Sequence, residues 1–317
     1  MNKLLIVCGP TGTGKTDLAL KLAKKFDGEI ISADSRQVYR GLDIGTGKDL
    51  PKDSKIGFSD PIMGARYNVS GINIWGYDLI GPKDIFSVGQ YVEIADEIIG
   101  NILDRGKLPI LVGGTGFYIK AVVDGIATAK IPQNKNIRKT LEGKNITELF
   151  DILAQFDPIR AANMNQSDRN NPRRLMRSIE IAQQGIRVDE LKTQVNKYEC
   201  LFIGLQASKE AMETKVESRV QNRIEMGIEE EIKKLILLGV NWNDQSMTSL
   251  GYAQWRDYFE NRKTKQEVKE EWVRDEMKYI KKQMVWFKKE NRINWFNVME
   301  GNLQKKVEKL VQKWYLS

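Results

Sequence analysis

Short apolar runs alternate with amphipathic stretches over the first 125 residues of the chain. Residues 3–8 (KLLIVC), 29–32 (EIIS) and 109–112 (PILV) are continuous apolar runs, typical of strands buried on both faces of a parallel sheet. Helical periodicity follows the first run, over about 16–26, and precedes the third, over about 88–105. Strands that alternate with helices predict an α/β core, in which a parallel sheet is flanked by helices.

The pattern changes beyond this core and once within it. Residues 43–86 are rich in Gly, Pro and Asp, which predicts a loop-rich segment. Beyond residue 125 long amphipathic stretches predict a mostly helical remainder, interrupted by the strand-like run YECLFIGL (198–205), which we expect to return to the sheet as its last strand. We therefore predict a core over 1–125, a helical insertion over 126–197, and a return to the core with a helical C-terminal region over 198–317.

The composition excludes several kinds of chemistry. The 317 residues contain no histidine, which excludes Ser-His-Asp catalysis, Cys-His catalysis and histidine-ligated metals. The only cysteines are Cys8 and Cys200, too few for a disulfide framework or a zinc cluster, and this usage fits the reducing cytoplasm. No apolar run approaches the roughly 18 residues of a membrane span. With 50 Lys and Arg against 42 Asp and Glu, the net charge of +8 favours an anionic partner.

A phosphate-binding loop follows the first predicted strand and opens the first predicted helix. Its residues match the pattern G-x-x-x-x-G-K-[ST] in full: Gly9, Pro10, Thr11, Gly12, Thr13, Gly14, Lys15 and Thr16. The glycines let backbone N–H groups converge on phosphate oxygens, and the helix N-terminus adds partial positive charge. Lys15 can reach a terminal phosphate, and the Thr16 hydroxyl can ligate Mg²⁺. The loop predicts a diphosphate or triphosphate site in a P-loop α/β core, without saying which molecule carries the phosphates.

The predicted strand at 109–112 runs into glycines 113 and 114, without the Asp that nucleotide hydrolases use there to hold Mg²⁺. The nearest acidic candidate is Asp34, just beyond the strand at 29–32. Because strand carboxyl ends face the ligand crevice of such sheets, we expect Asp34 to point at the phosphate site, although a turn or N-cap aspartate would give the same pattern. A loop without hydrolytic machinery favours transfer chemistry, with Asp34 orienting or deprotonating a nucleophile. The GTGK at 45–48 lacks a preceding strand and the full spacing, so we do not assign it to phosphate.

At this point the residues resemble a known family, the tRNA dimethylallyltransferases (tRNA isopentenyltransferases) of bacterial type. The resemblance covers nearly the whole chain and is specific, because an unrelated phosphate-loop protein would share only its first segment. The segments that carry it are GPTGTGKT (9–16), ISADSRQVYRGLDIGTGK (31–48), LVGGTGFYIKAVVDG (111–125), NPRRLMRSIE (171–180), ESRVQNRIEMG (217–227), TSLGYAQ (248–254) and YIKKQMVWFKKENRINWF (279–296).

The resemblance implies a reaction and its partners. A dimethylallyl group passes from dimethylallyl diphosphate to the exocyclic N6 amine of an adenosine beside the tRNA anticodon. The phosphate loop then serves the prenyl diphosphate with Mg²⁺, and the family is commonly monomeric. Lys15 and Thr16 would stabilise the charge that develops on pyrophosphate. Asp34 would accept the proton of the amine.

The same resemblance assigns further roles. Thr115 matches a threonine that orients the amine and the diphosphate, and Arg219 matches an arginine directed at pyrophosphate. The family touches tRNA at positions matching Ser35, Arg36 and Gln37 and in the stretch 172–177. Within that stretch Arg173, Arg174 and Arg177 place three guanidinium groups on one short predicted helix, which suits phosphate contacts but equally an exposed basic face.

An independent signal lies in the predicted helix near 272–290. Trp272, Tyr279 and Trp286 recur every seven residues and are predicted to pack in the core. Lys278 and Lys282 lie on a neighbouring stripe, within a lysine-rich stretch expected to follow an RNA backbone.

Three other interpretations stay open. A small-molecule or nucleoside kinase explains the phosphate loop and Asp34 but leaves the basic helical half unexplained. A transferase that prenylates free adenine nucleotide has no need of a long basic track. A non-catalytic RNA-binding protein would have no need of the intact set Lys15, Thr16, Asp34 and Thr115.

Overall fold

A computed structural model gives the fold in two compact units. One unit combines Met1–Asp124 with Asn196–Ser317, and the other is Gly125–Val195. For residues 55–59 only the backbone is described. The structure describes residues 2–48, 50, 55–60, 63–129, 131–186 and 197–317.

The strands of the first unit form a single mixed sheet. Within the described residues they are β1 (Lys3–Cys8), β2 (Gly28–Ser32), β3 (Lys55–Asp60), β4 (Gly64–Val69), β5 (Ile72–Tyr77), β6 (Leu108–Gly113), β7 (Glu199–Gln206) and β8 (Ile293–Asn297). Their order across the sheet is β3-β4-β5-β2-β6-β1-β7-β8, and β5, β2, β6, β1, β7 and β8 run parallel. The predicted α/β class is confirmed.

Two expectations about strands are wrong in part. The segment predicted to be loop-rich, 43–86, contains β3, β4 and β5, which extend the sheet as an antiparallel meander. The run at 198–205 does return to the sheet as β7, next to β1, but β8 lies beyond it at the edge.

The helices are α1 (Lys15–Lys25), α2 (Val88–Asp104), α3 (Gly116–Asp124), α4 (Lys135–Leu141), α5 (Ile146–Phe156), α6 (Pro158–Asn163), α7 (Gln166–Arg169), α8 (Pro172–Gln183), α9 (Lys209–Glu225), α10 (Ile228–Leu237), α11 (Arg256–Phe259), α12 (Lys265–Phe287) and α13 (Leu303–Tyr315). The predicted amphipathic stretches correspond to α5 with α6, α8, α9 with α10, and α12. No helix in the described ranges has the length and apolarity that crossing a bilayer requires.

The central strands of the sheet are buried on both faces. Successive residues of β1 alternate between two cores: Leu4 and Ile6 pack in one with α2, α3, α9 and α12, and Leu5 and Val7 pack in the other with α1 and α13. All four side chains are fully buried. This double burial explains why the central strands are continuous apolar runs instead of alternating ones.

The second unit is a small helical body with its own core. Leu149 and Leu153 of α5 pack with Leu175 and Ile179 of α8. Helix α5 begins at a capping box, in which the Asn145 side chain accepts from the backbone of Glu148 and the Glu148 side chain accepts from that of Asn145.

Candidate active site

The phosphate loop takes the conformation that its sequence predicts, between β1 and α1. Gly9 has φ +135°, and a Cβ there would overlap the Leu205 carbonyl, so the close approach to β7 requires glycine. The carbonyl of Pro10 accepts from Lys15 Nζ at 2.8 Å and from Thr13 Oγ1 at 2.9 Å. Because α1 begins at Lys15, its unpaired N–H groups and dipole face the loop.

The charge of Lys15 is sensitive to its surroundings. Burial and the Arg219 guanidinium lower the pKa of Lys15 to about 8, and the carboxylate of Asp34 opposes this shift. Lys15, Arg219 and Asp34 therefore interact electrostatically around the loop. An anion that binds there would restore the ordinary high pKa of Lys15.

Asp34 lies just beyond the carboxyl end of β2, where the chain hydrogen-bonds with the residues that follow the neighbouring strand β6. The backbone N–H of Arg36 donates to Asp34 Oδ1 at 2.8 Å, which orients that carboxylate. Thr115 donates its N–H to the carbonyl of Ala33 at 3.2 Å, and its Oγ1 accepts from the N–H of Ser35 at 3.1 Å. A Cβ at Gly113 would overlap the Ala33 carbonyl, so glycine allows this close approach. The geometry brings Asp34, Ser35 and Thr115 together.

Arg219 reaches the loop from α9. Its Nη1 donates to Thr11 Oγ1 at 2.9 Å. One turn further along α9, Arg223 is buried and donates Nη1 to the carbonyl of Gly45 at 3.2 Å. Sequence reasoning identified Arg219 but not Arg223.

Helix α12 contributes site residues that the sequence analysis missed. Gln283 accepts from the N–H of Thr11 at 3.0 Å and donates to the carbonyl of Gly114 at 2.9 Å, so one side chain ties the phosphate loop to the loop after β6. The Tyr279 hydroxyl hydrogen-bonds with the side chains of Thr115 and Gln283, and burial raises the pKa of Tyr279 to about 12. Trp272, Glu276, Tyr279, Gln283 and Trp286 are spaced to share one helix face, and this spacing is the signal in the sequence that could identify Gln283 and Glu276. Of these, Trp272 is fully buried, whereas Tyr279 and Trp286 are half-buried.

These elements enclose a cavity of about 1040 Å³. Of the residues predicted from the sequence it is lined by Thr11, Gly12, Gly14, Lys15, Thr16, Asp34, Ser35, Arg36, Gln37, Arg219, Lys278 and Lys282. Gly9, Pro10 and Thr13 do not line it, and Thr115 contacts its wall through Ser35. The cavity also has an apolar part that we did not predict, formed by Leu20, Ile30, Val69, Ile74 and Tyr77.

The segment GTGK (45–48) has no phosphate-loop geometry. Lys48 is buried and its ammonium pairs with Asp43 at 2.5 Å and with Asp78, and donates to the carbonyl of Tyr39 at 2.9 Å. Gln37 donates to the carbonyl of Gly47 at 2.9 Å, which attaches this segment to the end of β2.

The three arginines of α8, in the second unit, are not equivalent. The Arg177 guanidinium donates to the carbonyls of Thr128 at 3.1 Å and Ile131 at 2.7 Å, and pairs with the buried Glu180. Arg174 pairs with Asp168 but remains more than half exposed. The side chain of Arg173 is exposed.

The donor set for a metal is sparse. No cluster of three or more acidic or cysteine side chains suited to a metal ion occurs in the part of the chain that the structure describes. The Thr16 hydroxyl is exposed at the start of α1 and lines the cavity. Such a site fits Mg²⁺, which commonly keeps several waters and takes few protein ligands beside substrate phosphates.

Comparison with known proteins gives one consistent family. The model of the IPP transferase family matches residues 37–290, and that of the isopentenyl transferase family matches residues 2–56. The tRNA dimethylallyltransferase of Pediococcus pentosaceus is 34% identical over 99% of this chain and 97% of its own length. That of Anoxybacillus flavithermus is 33% identical over 95% of this chain and 92% of its own.

Solved structures agree. The full-length tRNA isopentenylpyrophosphate transferase of Bacillus halodurans superposes with a TM-score of 0.70 at 30% identity, covering 99% of this chain and 96% of that one. A eukaryotic dimethylallyltransferase acting on tRNA, at 21% identity, shares the fold with a TM-score of 0.83 over 99% of this chain and 80% of that one.

Proposed function

The chain belongs to the IPP transferase family of tRNA dimethylallyltransferases, and on this basis we propose that it transfers a dimethylallyl group from dimethylallyl diphosphate to tRNA. The acceptor is the exocyclic N6 amine of the adenosine adjacent to the anticodon, and pyrophosphate is released. The observation that carries the proposal is that residues of the loop at 9–16 and Asp34 line one cavity.

The donor binds with its diphosphate on the phosphate loop. The bond between the allylic carbon and the diphosphate oxygen breaks, and its electron pair leaves with pyrophosphate. Lys15, Arg219 and the N–H groups at the start of α1 stabilise this growing negative charge. The apolar part of the cavity offers Ile30 and Ile74 to the prenyl carbons.

The acceptor amine forms the new bond to the allylic carbon. The N6 nitrogen gives up one proton, which Asp34 accepts, so that a secondary amine and pyrophosphate remain. Asp34 is suited to this because the Arg36 N–H fixes one carboxylate oxygen and because it lies next to Thr115 and Ser35. General base catalysis of this kind contributes typically ~10²–10⁴-fold.

The reaction requires a divalent cation, which we take to be Mg²⁺. Thr16 would hold it together with diphosphate oxygens. When bound, the ion supplies positive charge to the leaving group.

Basic side chains of the first unit hold the RNA at the cavity, and those of the second unit are considered by themselves. Lys278 and Lys282 line the same cavity as Asp34 and are exposed, so a nucleotide entering the cavity brings its backbone past them. Ser35, Arg36 and Gln37 line the acceptor side, and Arg173 and Arg174 offer further phosphate contacts. A free nucleotide needs no such surface, which favours tRNA over AMP. The proposal takes the enzyme to act as a monomer in the cytoplasm.

A transfer assay tests the proposal. Protein and Mg²⁺ are mixed with labelled dimethylallyl diphosphate and unmodified bulk tRNA, with AMP and ATP as parallel acceptors. We expect label in tRNA alone. Label in AMP or ATP would move the enzyme to free-nucleotide chemistry, and ATP-dependent phosphorylation of a small molecule without prenyl transfer would favour a kinase.

A further inference from the structure

A buried carboxylate stands beside the two arginines of the site. Glu276 of α12 is 3% exposed. Its Oε1 accepts from Arg223 Nη1 at 3.0 Å and from Trp272 Nε1 at 3.1 Å. Its Oε2 is buried, accepts no hydrogen bond among the described residues, and lies 4.0 Å from Nη1 of Arg219.

The two carboxylate oxygens therefore have different surroundings. Oε1 is held by two donors, which fixes the orientation of the whole group. Oε2 faces Arg219, whose same Nη1 atom donates to Thr11 of the phosphate loop at 2.9 Å. A charge is costly to bury unless a partner stabilises it, so Oε2 attracts the Arg219 guanidinium strongly.

We propose that Glu276 is a positioning residue for Arg219. Anchored by Arg223 and Trp272, its carboxylate holds the Arg219 guanidinium over the phosphate loop, where it meets the diphosphate. Glu276 itself does not touch the substrate. The inference rests on the proposed function in taking the ligand of the loop to be a diphosphate.

If Glu276 positions Arg219, removing its charge weakens pyrophosphate binding. Simple electrostatics, without positioning, predicts the opposite change. A carboxylate near an anion site repels the anion, so removing its charge in Glu276→Gln would tighten pyrophosphate binding if positioning did not matter. The amide of Gln keeps an oxygen for Arg223 and Trp272 and preserves the shape. The sign of the change therefore separates the two roles.

The test measures the affinity for inorganic pyrophosphate by titration calorimetry. We expect Glu276→Gln to weaken binding by roughly tenfold and, in an Arg219→Gln background, to change it by less than about twofold, because the two side chains act together. Tighter or unchanged binding in the single variant would overturn the proposal, and so would an equal loss in both backgrounds. Glu270→Gln, an exposed carboxylate on the same helix, is the matched control and should bind as wild type.

A second variant keeps the proposal testable if Glu276→Gln does not fold. Trp272→Phe removes one anchor of Glu276 without changing any charge, and we expect a smaller loss of pyrophosphate affinity in the same direction. Stability lost with pyrophosphate affinity unchanged would reduce Glu276 to a structural role. The binding assay needs no tRNA, so a wild-type protein that binds pyrophosphate yet prenylates no tRNA would contradict the proposed function and leave this inference standing.

Discussion

Asp34 is the residue whose substitution best separates chemistry from binding. Asp34→Asn keeps the shape of the side chain and the oxygen that accepts from Arg36, but removes the carboxylate that we propose as the base for the N6 proton. We expect the turnover number to fall by about 10²–10⁴-fold while the Kd for tRNA stays near that of the wild type. Single-turnover kinetics and filter binding measure the two quantities. Asp104→Asn, an exposed change at the end of α2, should alter neither.

A smaller effect would contradict this role. Turnover within tenfold of the wild type would mean that another group or water takes the proton. A comparable loss of tRNA affinity would place Asp34 in recognition.

Lys15 predicts a pH dependence of donor binding. Its pKa in the free protein is about 8, lowered by burial and by Arg219, and a bound diphosphate favours the charged form. Binding is therefore at full strength below pH 8 and weakens above it, because the free protein must then take up a proton. We expect kcat/KM for the donor to decline above about pH 8, with kcat less affected.

Arg219→Gln supplies the internal check on this assignment. Removing a neighbouring positive charge raises the pKa of Lys15, so the decline should move to higher pH even though the activity itself is lower. A decline that does not move would assign the titration to another group.

At the scale of whole elements, α12 shows how much can be predicted from helical periodicity. Its heptad spacing correctly placed Trp272 in the core, and the position of the loop at 9–16 between β1 and α1 could be predicted because its sequence pattern is local. The same spacing also places Glu276 and Gln283 on that face, but their roles could not be predicted, because their partners are distant in the chain: Gln283 and Thr11 are 272 positions apart. The polar members of a buried helix face acquire a function only from what the fold brings against them.

The meander of β3, β4 and β5 was missed for a related reason. β4 is only partly buried, and β4 (GARYNV) and β5 (INIWGY) contain Gly and Asn, which are disfavoured in strands. Pairing with neighbours across the sheet outweighs this local preference. Ile74 and Trp75 gain partners in Ile30 and Ile31 of β2, which the local sequence does not reveal.

In α8, Arg177 is expected to stabilise the second unit more than it binds RNA. Burial pushes the pKa of Glu180 upward, but hydrogen bonds from Arg138 and Arg177 outweigh this and lower it. The resulting stabilisation is present above the unfolded pKa of Glu180 and is lost as the pH falls through its folded value. We expect Arg177→Gln to lower the free energy of unfolding by about 1–3 kcal/mol at pH 7 and by less in acid.

Urea unfolding of the wild type and of Arg177→Gln, at pH 7 and in acid, measures this difference in the free energy of unfolding. Arg173→Gln, an exposed change on the same helix, should leave the unfolding free energy unchanged. An unchanged stability in Arg177→Gln, combined with weaker tRNA binding, would return Arg177 to the RNA-contacting set.

At the scale of the whole molecule, the net charge of +8 attracts RNA in general, but its distribution decides where the backbone lies. Lys278 and Lys282 are exposed at the cavity that holds Asp34, and Lys278 is partly engaged by Asp275 at 3.0 Å. Lys305 and Lys309 are also exposed, on α13, and do not line the cavity. Equal changes of net charge at the two places should therefore have unequal effects.

The double change Lys278→Gln with Lys282→Gln should reduce the steepness with which log K for tRNA binding falls as log salt concentration rises. Each phosphate contact contributes about 0.7–0.9 to that slope, and because Asp275 already shares Lys278, we expect a reduction of about one to one and a half. The double change Lys305→Gln with Lys309→Gln removes the same charge and should leave the slope unchanged. Equal reductions in both variants would mean that RNA responds only to net charge. A reduction confined to the variant of Lys278 and Lys282 would place the RNA backbone at the cavity that Asp34 lines.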